Sequence, residues 1–195
     1  MKISSICVYC GSSPGRQLAY LEAARSLATA LVRRNIRLVY GGARIGVMGA
    51  IADAVLAAGG SVTGVIPRAL AIKEVAHDAL SELIVTDSMH ARKTTMAERS
   101  DACIALPGGV GTLEELFEAW TWTQLGFHDK PCGLLNVAGY FDSLIAFVDH
   151  SVAEGYLKPV HREILIVDTD ADALLDRLAA YQPQPTAKWL DASST

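Results

Sequence analysis

Three glycine-bearing stretches, one basic pair and one pair of adjacent acids are the parts of this 195-residue chain whose types and spacing could do chemistry. The stretches are Cys10-Gly11-Ser12-Ser13-Pro14-Gly15, Gly41-Gly42-Ala43-Arg44-Ile45-Gly46-Val47-Met48-Gly49 and Pro107-Gly108-Gly109-Val110-Gly111-Thr112. Each stands between an apolar run and a segment of helical spacing. Glycine lets a backbone approach a ligand closely, and the N-terminus of the following helix offers unpaired N–H groups and partial positive charge to a phosphate. One such loop is an ordinary tight turn; three in one chain point to a phosphorylated ligand.

The basic pair lies in Met89-His90-Ala91-Arg92-Lys93, where Met89, Arg92, Lys93 and Met96 share one helix face by three-and-four spacing. Arg92-Lys93 reads either as a solvated basic face or as a group whose guanidinium grips phosphate or ribose oxygens through two parallel hydrogen bonds. The acids are Glu114 and Glu115. Thr112-x-x-Glu115 has the spacing of a helix capping box. Yet a carboxylate next to an anion site repels that anion by about 1 kcal/mol at partly exposed range. It becomes useful if positive charge develops on the ligand, as in cleavage at a sugar anomeric carbon, where a carboxylate stabilises the oxocarbenium-like state and aligns water.

Two common nucleotide motifs do not fit. No glycine is followed by the lysine of a P-loop. The Gly-x-Gly-x-x-Gly pattern fails as well, because Gly109-x-Gly111-x-x ends in Glu114 and follows the fifth apolar run rather than the first. A mononucleotide is therefore expected rather than a nicotinamide dinucleotide or an ATPase substrate.

Composition narrows the field further. Hydrophobic residues make up 51% and charged residues 19% of the chain, enough for a core and unlike a disordered segment. The net charge is −4, and its six lysines and eleven arginines are scattered, which argues against a nucleic-acid partner. No run reaches the length of a membrane span and no cleaved leader is expected, so the protein reads as soluble and cytoplasmic. Four cysteines, Cys7, Cys10, Cys103 and Cys132, form no disulfide framework; Cys7-x-x-Cys10 lacks a second ligand pair. His77, His90, His128, His150 and His161 show no ligand spacing and receive no role. No metal and no cofactor are expected.

Those residues need a scaffold, and the hydrophobic pattern describes one. Seven short apolar runs (3–9, 37–40, 61–66, 82–86, 102–106, 132–136 and 163–167) read as strands buried on both faces. Between them lie helical stripes: Leu18, Leu21, Ala24, Ala28 and Leu31; Leu113, Leu116, Phe117, Trp120 and Gln124; Phe141, Leu144, Ile145, Val148 and Val152. Strand and helix in alternation predict a single α/β domain over residues 1–182, three-layered and Rossmann-like, with a mostly parallel sheet of about seven strands. Residues 183–195 read as a loosely held tail. Ligands of such sheets sit at the carboxyl ends of the strands, where all three glycine loops fall.

Pro107-Gly-Gly-Val-Gly-Thr-Leu-Glu-Glu115, with Met89-His90-x-Arg92-Lys93 upstream and Ser100-Asp101-Ala102 between, resembles the LOG ("lonely guy") family. The pattern Pro-Gly-Gly-x-Gly-Thr-x-x-Glu matches at every fixed position, and the likeness runs from Gly11-Ser12-Ser13 to about Leu178. The resemblance implies a Rossmann-like cytokinin riboside 5′-monophosphate phosphoribohydrolase, an N-glycosyl hydrolase of cytokinin biosynthesis releasing free base and ribose 5-phosphate. It implies catalytic roles for Arg92 and Glu115. It implies substrate contacts at Glu74, Lys93, Thr112 and the Gly108–Glu114 loop (Gly108, Gly109, Val110, Gly111, Glu114). With the glycine loops and the basic helix, Gly11, Ser12, Gly42, Gly46, Met48, Gly49 and Met89 complete the expected binding set. It also implies a homodimer. The stripe Leu116, Trp120 and Thr123, with Trp122 opposite, fits either core plus interface or core alone. Departures are small: Ala43 where many relatives have glycine, Val47 where leucine is frequent, and Val110 at the variable position. A "lysine decarboxylase" label carried by the family finds no support, because nothing marks a lysine as a Schiff-base residue.

The chain therefore reads as a purine nucleoside 5′-monophosphate hydrolase. Its rivals are a nucleosidase directed at AMP in nucleotide salvage and a non-catalytic nucleotide-binding module on the same scaffold.

Overall fold

The computed structural model describes residues 2–71 and 75–183. Glu74 and positions 184–195 of the expected tail lie outside the described residues. All seven apolar runs are strands: β1 Ser5–Tyr9, β2 Arg37–Tyr40, β3 Val62–Pro67, β4 Glu82–Thr86, β5 Ala102–Ala105, β6 Cys132–Leu135 and β7 Leu165–Asp168. They form one sheet in the order β4-β3-β2-β1-β5-β6-β7, and every neighbouring pair is parallel. The largest shift from expectation is at β7, which starts at Leu165 because Glu163 and Ile164 are still bonded into the preceding turn through Pro159 and His161 carbonyls.

The helices are α1 Leu18–Arg33, α2 Gly46–Ala57, a single turn α3 Arg68–Leu70, α4 Met89–Glu98, α5 Val110–Leu125, α6 Asp142–Ala153, a short α7 Pro159–Arg162 and α8 Ala171–Ala180. Successive side chains of a strand point to opposite faces, and β1 shows the consequence. Ile6 and Val8 join the layer built with α1, α2 and α8, whereas Cys7 and Tyr9 join the layer built with α4, α5 and α6. The same alternation places Cys7 and Cys10 in different layers, so their spacing cannot bring the two thiols together.

Double coverage fails at one edge. In β4, Leu83 and Val85 are exposed while Ile84 and Thr86 face α4 or the core. Among the described residues, the segment between β3 and β4 supplies only the single turn α3 and no long helix to cover the outer face there. The α5 stripe is core: Leu116, Trp120 and Thr123 are all buried within this chain, and the Trp120 indole N–H donates to the His161 carbonyl at 2.8 Å. Among the described residues, no helix is long and apolar enough to cross a membrane.

From β1 the chain steps outward to β4, then returns to β5 on the other side of β1. Connections on the two sides of β1 therefore diverge, and a crevice opens at the carboxyl ends of β1, β2 and β5. The three glycine loops leave the sheet there.

Candidate active site

Gly11 ties the three loops together. Its N–H donates to the Pro107 carbonyl at 3.1 Å, and its carbonyl accepts from Val47 at 3.0 Å and Met48 at 3.3 Å. The N-terminus of α2 is thus partly satisfied from within the protein and holds the first loop rather than a ligand. Close approach requires glycine: a Cβ on Gly46, whose φ is +61°, would lie 2.3 Å from the Ser12 carbonyl carbon. A Cβ on Gly108 would lie 2.1 Å from the Thr112 hydroxyl.

The start of α5 differs. Its N-cap is Gly109, and the first bond into the helix runs from Leu113 N–H to the Gly109 carbonyl at 3.2 Å. Among the described residues, the N–H groups of Val110, Gly111 and Thr112 meet no acceptor, and all three residues border a cavity. Open donors at a helix N-terminus, with the partial positive charge there, are the arrangement that suits an anion. The capping box does not form: the N-cap is Gly109, three residues before Thr112, and Glu115 turns to a stronger partner.

That partner is Arg92. Of the two readings of this position, a solvated face and a guanidinium placed at the ligand site, the solvated one fails for Arg92, whose side chain is 9% exposed. Its Nε donates to the Val65 carbonyl at 3.1 Å and its Nη2 to the Gly41 carbonyl at 3.2 Å, so the guanidinium spans the ends of β2 and β3. The remaining Nη1 lies 3.6 Å from Glu115 Oε1, whose side chain is 12% exposed. Burial raises the Glu115 carboxyl above the ordinary range, and the Arg92 charge offsets this only in part. Glu114 points elsewhere: it accepts from Lys93 Nζ at 2.6 Å, and Lys93 also meets Glu118 at 3.0 Å. The hydrogen bond to Glu114 raises the Lys93 pKa, outweighing burial.

Arg92 and Glu115 face a cavity of about 520 Å³. Of the expected binding set, Gly11, Ser12, Met48, Met89, Gly109, Val110, Gly111, Thr112 and Glu114 also line it. Gly42, Gly46, Gly49 and Gly108 stand behind the lining as loop supports, and Lys93 is turned to its two acids. Glu74 lies outside the described residues.

Sequence reasoning missed the apolar wall made by Ile45, Ile66, Leu70 and Val75. It also missed His77, which fastens that wall. His77 N–H donates to the Gly42 carbonyl and Arg44 N–H to the Val75 carbonyl, both at 2.9 Å, around an antiparallel bridge between Ala43 and Ala76. The His77 Nδ1 accepts from Ala79 N–H at 3.2 Å, leaving Nε2 to donate to Asp53 at 2.9 Å. No ligand spacing could reveal such a latch, because its partners are 24 and 35 residues upstream.

Comparison with known proteins adds a second line. Residues 48–178 match the family model described as possible lysine decarboxylase. The chain is 51% identical over 183 residues to cytokinin riboside 5′-monophosphate phosphoribohydrolase LOG1 of Arabidopsis thaliana, covering 94% of this chain and 86% of that one. It is also 51% identical over 178 residues to probable cytokinin riboside 5′-monophosphate phosphoribohydrolase LOGL9 of Oryza sativa subsp. japonica, covering 91% and 78%. The chain belongs to the LOG family.

Solved structures extend the likeness in fold alone. The molybdenum cofactor carrier protein of Chlamydomonas reinhardtii aligns with a TM-score of 0.69 at 23% identity, over 92% of this chain and 100% of that one. The molybdenum cofactor binding protein of Rippkaea orientalis gives 0.70 at 22%, over 92% and 98%. For a LOG-family chain, the decarboxylase wording of the model finds no lysine to rest on among the described residues lining the cavity. Lys93, next to Arg92 in the chain, is held as a doubly paired cation, whereas a Schiff-base lysine must give up its proton.

Proposed function

We propose that this protein hydrolyses the N-glycosidic bond of cytokinin riboside 5′-monophosphates to free base and ribose 5-phosphate. The observation that carries the reading is the buried Arg92–Glu115 pair, set across one cavity from the open N-terminus of α5.

The 5′-phosphate binds the Val110, Gly111 and Thr112 N–H groups, which fixes the ribose over Glu115. As the bond from C1′ to the base nitrogen stretches, its electron pair leaves with the base and C1′ becomes positive. The Glu115 carboxylate stabilises that centre and aligns a water on it; the water oxygen bonds to C1′ and its proton balances the departing base. Arg92, fixed by Gly41 and Val65, orients ribose or phosphate oxygens and favours departure of the base. Met48, Met89, Ile45, Ile66, Leu70 and Val75 offer apolar surface to the base, which supports a prenylated substrate over AMP. Glu74 contacts base or ribose in this reading.

The working assembly we propose is a homodimer. Val110 and Phe117 leave apolar side chains exposed along α5 near the cavity mouth, where a second copy could cover them. Sedimentation of the purified protein tests it.

Free base released from isopentenyladenosine monophosphate and from AMP is the direct assay. Faster release from the prenylated nucleotide, abolished in Glu115→Gln, supports the reading. AMP as the better substrate favours the salvage nucleosidase. Tight binding without release in the wild type leaves only a nucleotide-binding module.

A further inference from the structure

We infer that Tyr140 is a positioning residue for the phosphate site: its hydroxyl holds the Gly108 carbonyl away from the first turn of α5 and so keeps that turn open to an anion. The inference rests on the nucleotide reading above.

An α-helix bonds each N–H to the carbonyl four residues earlier. Wound back by one turn, α5 would bond Gly111 N–H to Pro107 and Thr112 N–H to Gly108, and its anion site would vanish. Both carbonyls are instead taken from outside the helix. Gly11 N–H donates to Pro107 at 3.1 Å, and the Tyr140 hydroxyl donates to Gly108 at 2.6 Å. Intrahelical bonding starts only at Leu113, whose N–H donates to Gly109.

The connection carrying Tyr140 is shaped to project it. After β6 the chain makes a 3₁₀ turn, Val137–Gly139, in which Ala138 adopts a left-handed conformation with φ +50° and ψ +33°. For a residue with a Cβ this conformation is strained and must be held by its surroundings. Asn136 supplies the hold: its side chain accepts from Phe141 N–H at 2.8 Å and donates to Asp142 at 2.7 Å. The Tyr140 ring is then trapped edge-on between Tyr20 and Phe141, with centroid distances of 5.5 and 4.9 Å. Ring contacts place the side chain, and the hydroxyl acts on Gly108.

Tyr140→Phe keeps the ring contacts and removes only the hydroxyl. Inhibition by the product ribose 5-phosphate reads the anion site, and inhibition by free isopentenyladenine reads the rest of the cavity. The expected result is a Ki for ribose 5-phosphate raised about 5- to 10-fold with the Ki for the base changed less than about 2-fold, the loss of one neutral hydrogen bond. KM for the nucleotide should rise in parallel. Tyr20→Phe, which keeps its own ring contact, should move neither constant. The ratio of the two constants is internal to each folded sample, so a change in melting temperature does not blur it. Equal shifts in both constants, or none in either, overturn the role of Tyr140 and leave the nucleotide reading standing. A wild-type protein that releases no base overturns that reading itself.

Discussion

Arg92 of α4 and Glu115 of α5 are more than twenty residues apart in the chain and meet at 3.6 Å with about a tenth of each side chain exposed. The guanidinium is not saturated by the carboxylate. Two of its donors are committed to the Gly41 and Val65 carbonyls, which fix its plane and leave Nη1 facing both Glu115 and the cavity. A buried charge pair of this kind contributes little net stability, because desolvation consumes most of the Coulomb gain. Its geometry suits catalysis better than folding.

Glu115→Gln therefore separates activity from stability. Loss of the carboxylate should lower kcat by about 10³-fold, the size of effect seen when an electrostatic partner of the transition state is removed. At pH 7 the melting temperature should be no lower than that of the wild type. Burial raises the Glu115 pKa in the folded protein, so the fold binds this proton more tightly than the unfolded chain does. Ionisation then costs stability as pH rises through the raised value, and the amide removes that cost. A kcat within 3-fold of wild type would be incompatible with the carboxylate's proposed part.

The pH profile should carry the same signature. In the proposed mechanism Glu115 acts ionised, so kcat/KM should fall on the acid side with an apparent pKa above the ~4.3 of a free glutamate. Arg92 is the main group opposing the rise, and Arg92→Gln should move the carboxyl further up. Carboxyl-carbon NMR of wild type and variant measures both values even where the variant turns over too slowly to assay.

Arg92→Lys should not rescue. A lysine offers one ammonium point in place of a planar fork, and cannot span the Gly41 and Val65 carbonyls while still facing Glu115. A loss in kcat/KM of about 10²-fold or more is expected, read from base release.

Gly46→Ala tests the stitched loops. The new Cβ would meet the Ser12 backbone at 2.3 Å in a conformation with φ +61°, and backbone cannot swing aside as a side chain can. Strain and clash together should cost about 3 kcal/mol, lowering the melting temperature by roughly 6–12 °C. Thermal denaturation measures it.

His77→Ala should loosen the apolar wall without touching the reacting atoms. Its ring holds Asp53 and the Ala79 N–H, and its removal leaves the segment bearing Val75 held, among the described residues, by the backbone bonds to Gly42 and Arg44 alone. The Ki for free base should rise about 3- to 10-fold while that for ribose 5-phosphate stays within about 2-fold. The opposite pattern would detach His77 from the base side of the cavity.

Much of this protein could be read from its residues in order. Strands such as β2 and β4 were legible to the residue, because period-two and uninterrupted apolar runs follow from local geometry. So were the glycine loops, and the helix that sets Arg92 beside Met96, since positive φ and three-and-four spacing are properties of neighbouring residues. What local pattern could not settle was competition between partners distant in the chain. Thr112 and Glu115 have capping-box spacing, yet a buried guanidinium from α4 outbids a backbone N–H for the carboxylate. Arg92-Lys93 looks like a surface pair, yet one side chain is drawn under β2 and β3 and the other paired to Glu114 and Glu118. The start of α2 and the start of α5 look alike in sequence; Gly11 closes the one, and Gly11 with Tyr140 leaves the other open. Sequence alone determined which groups the chain carries and on which elements. Tertiary structure decided which donors and charges remain unspent, because hydrogen bonds and desolvation are settled by whatever is nearest in space, not in sequence.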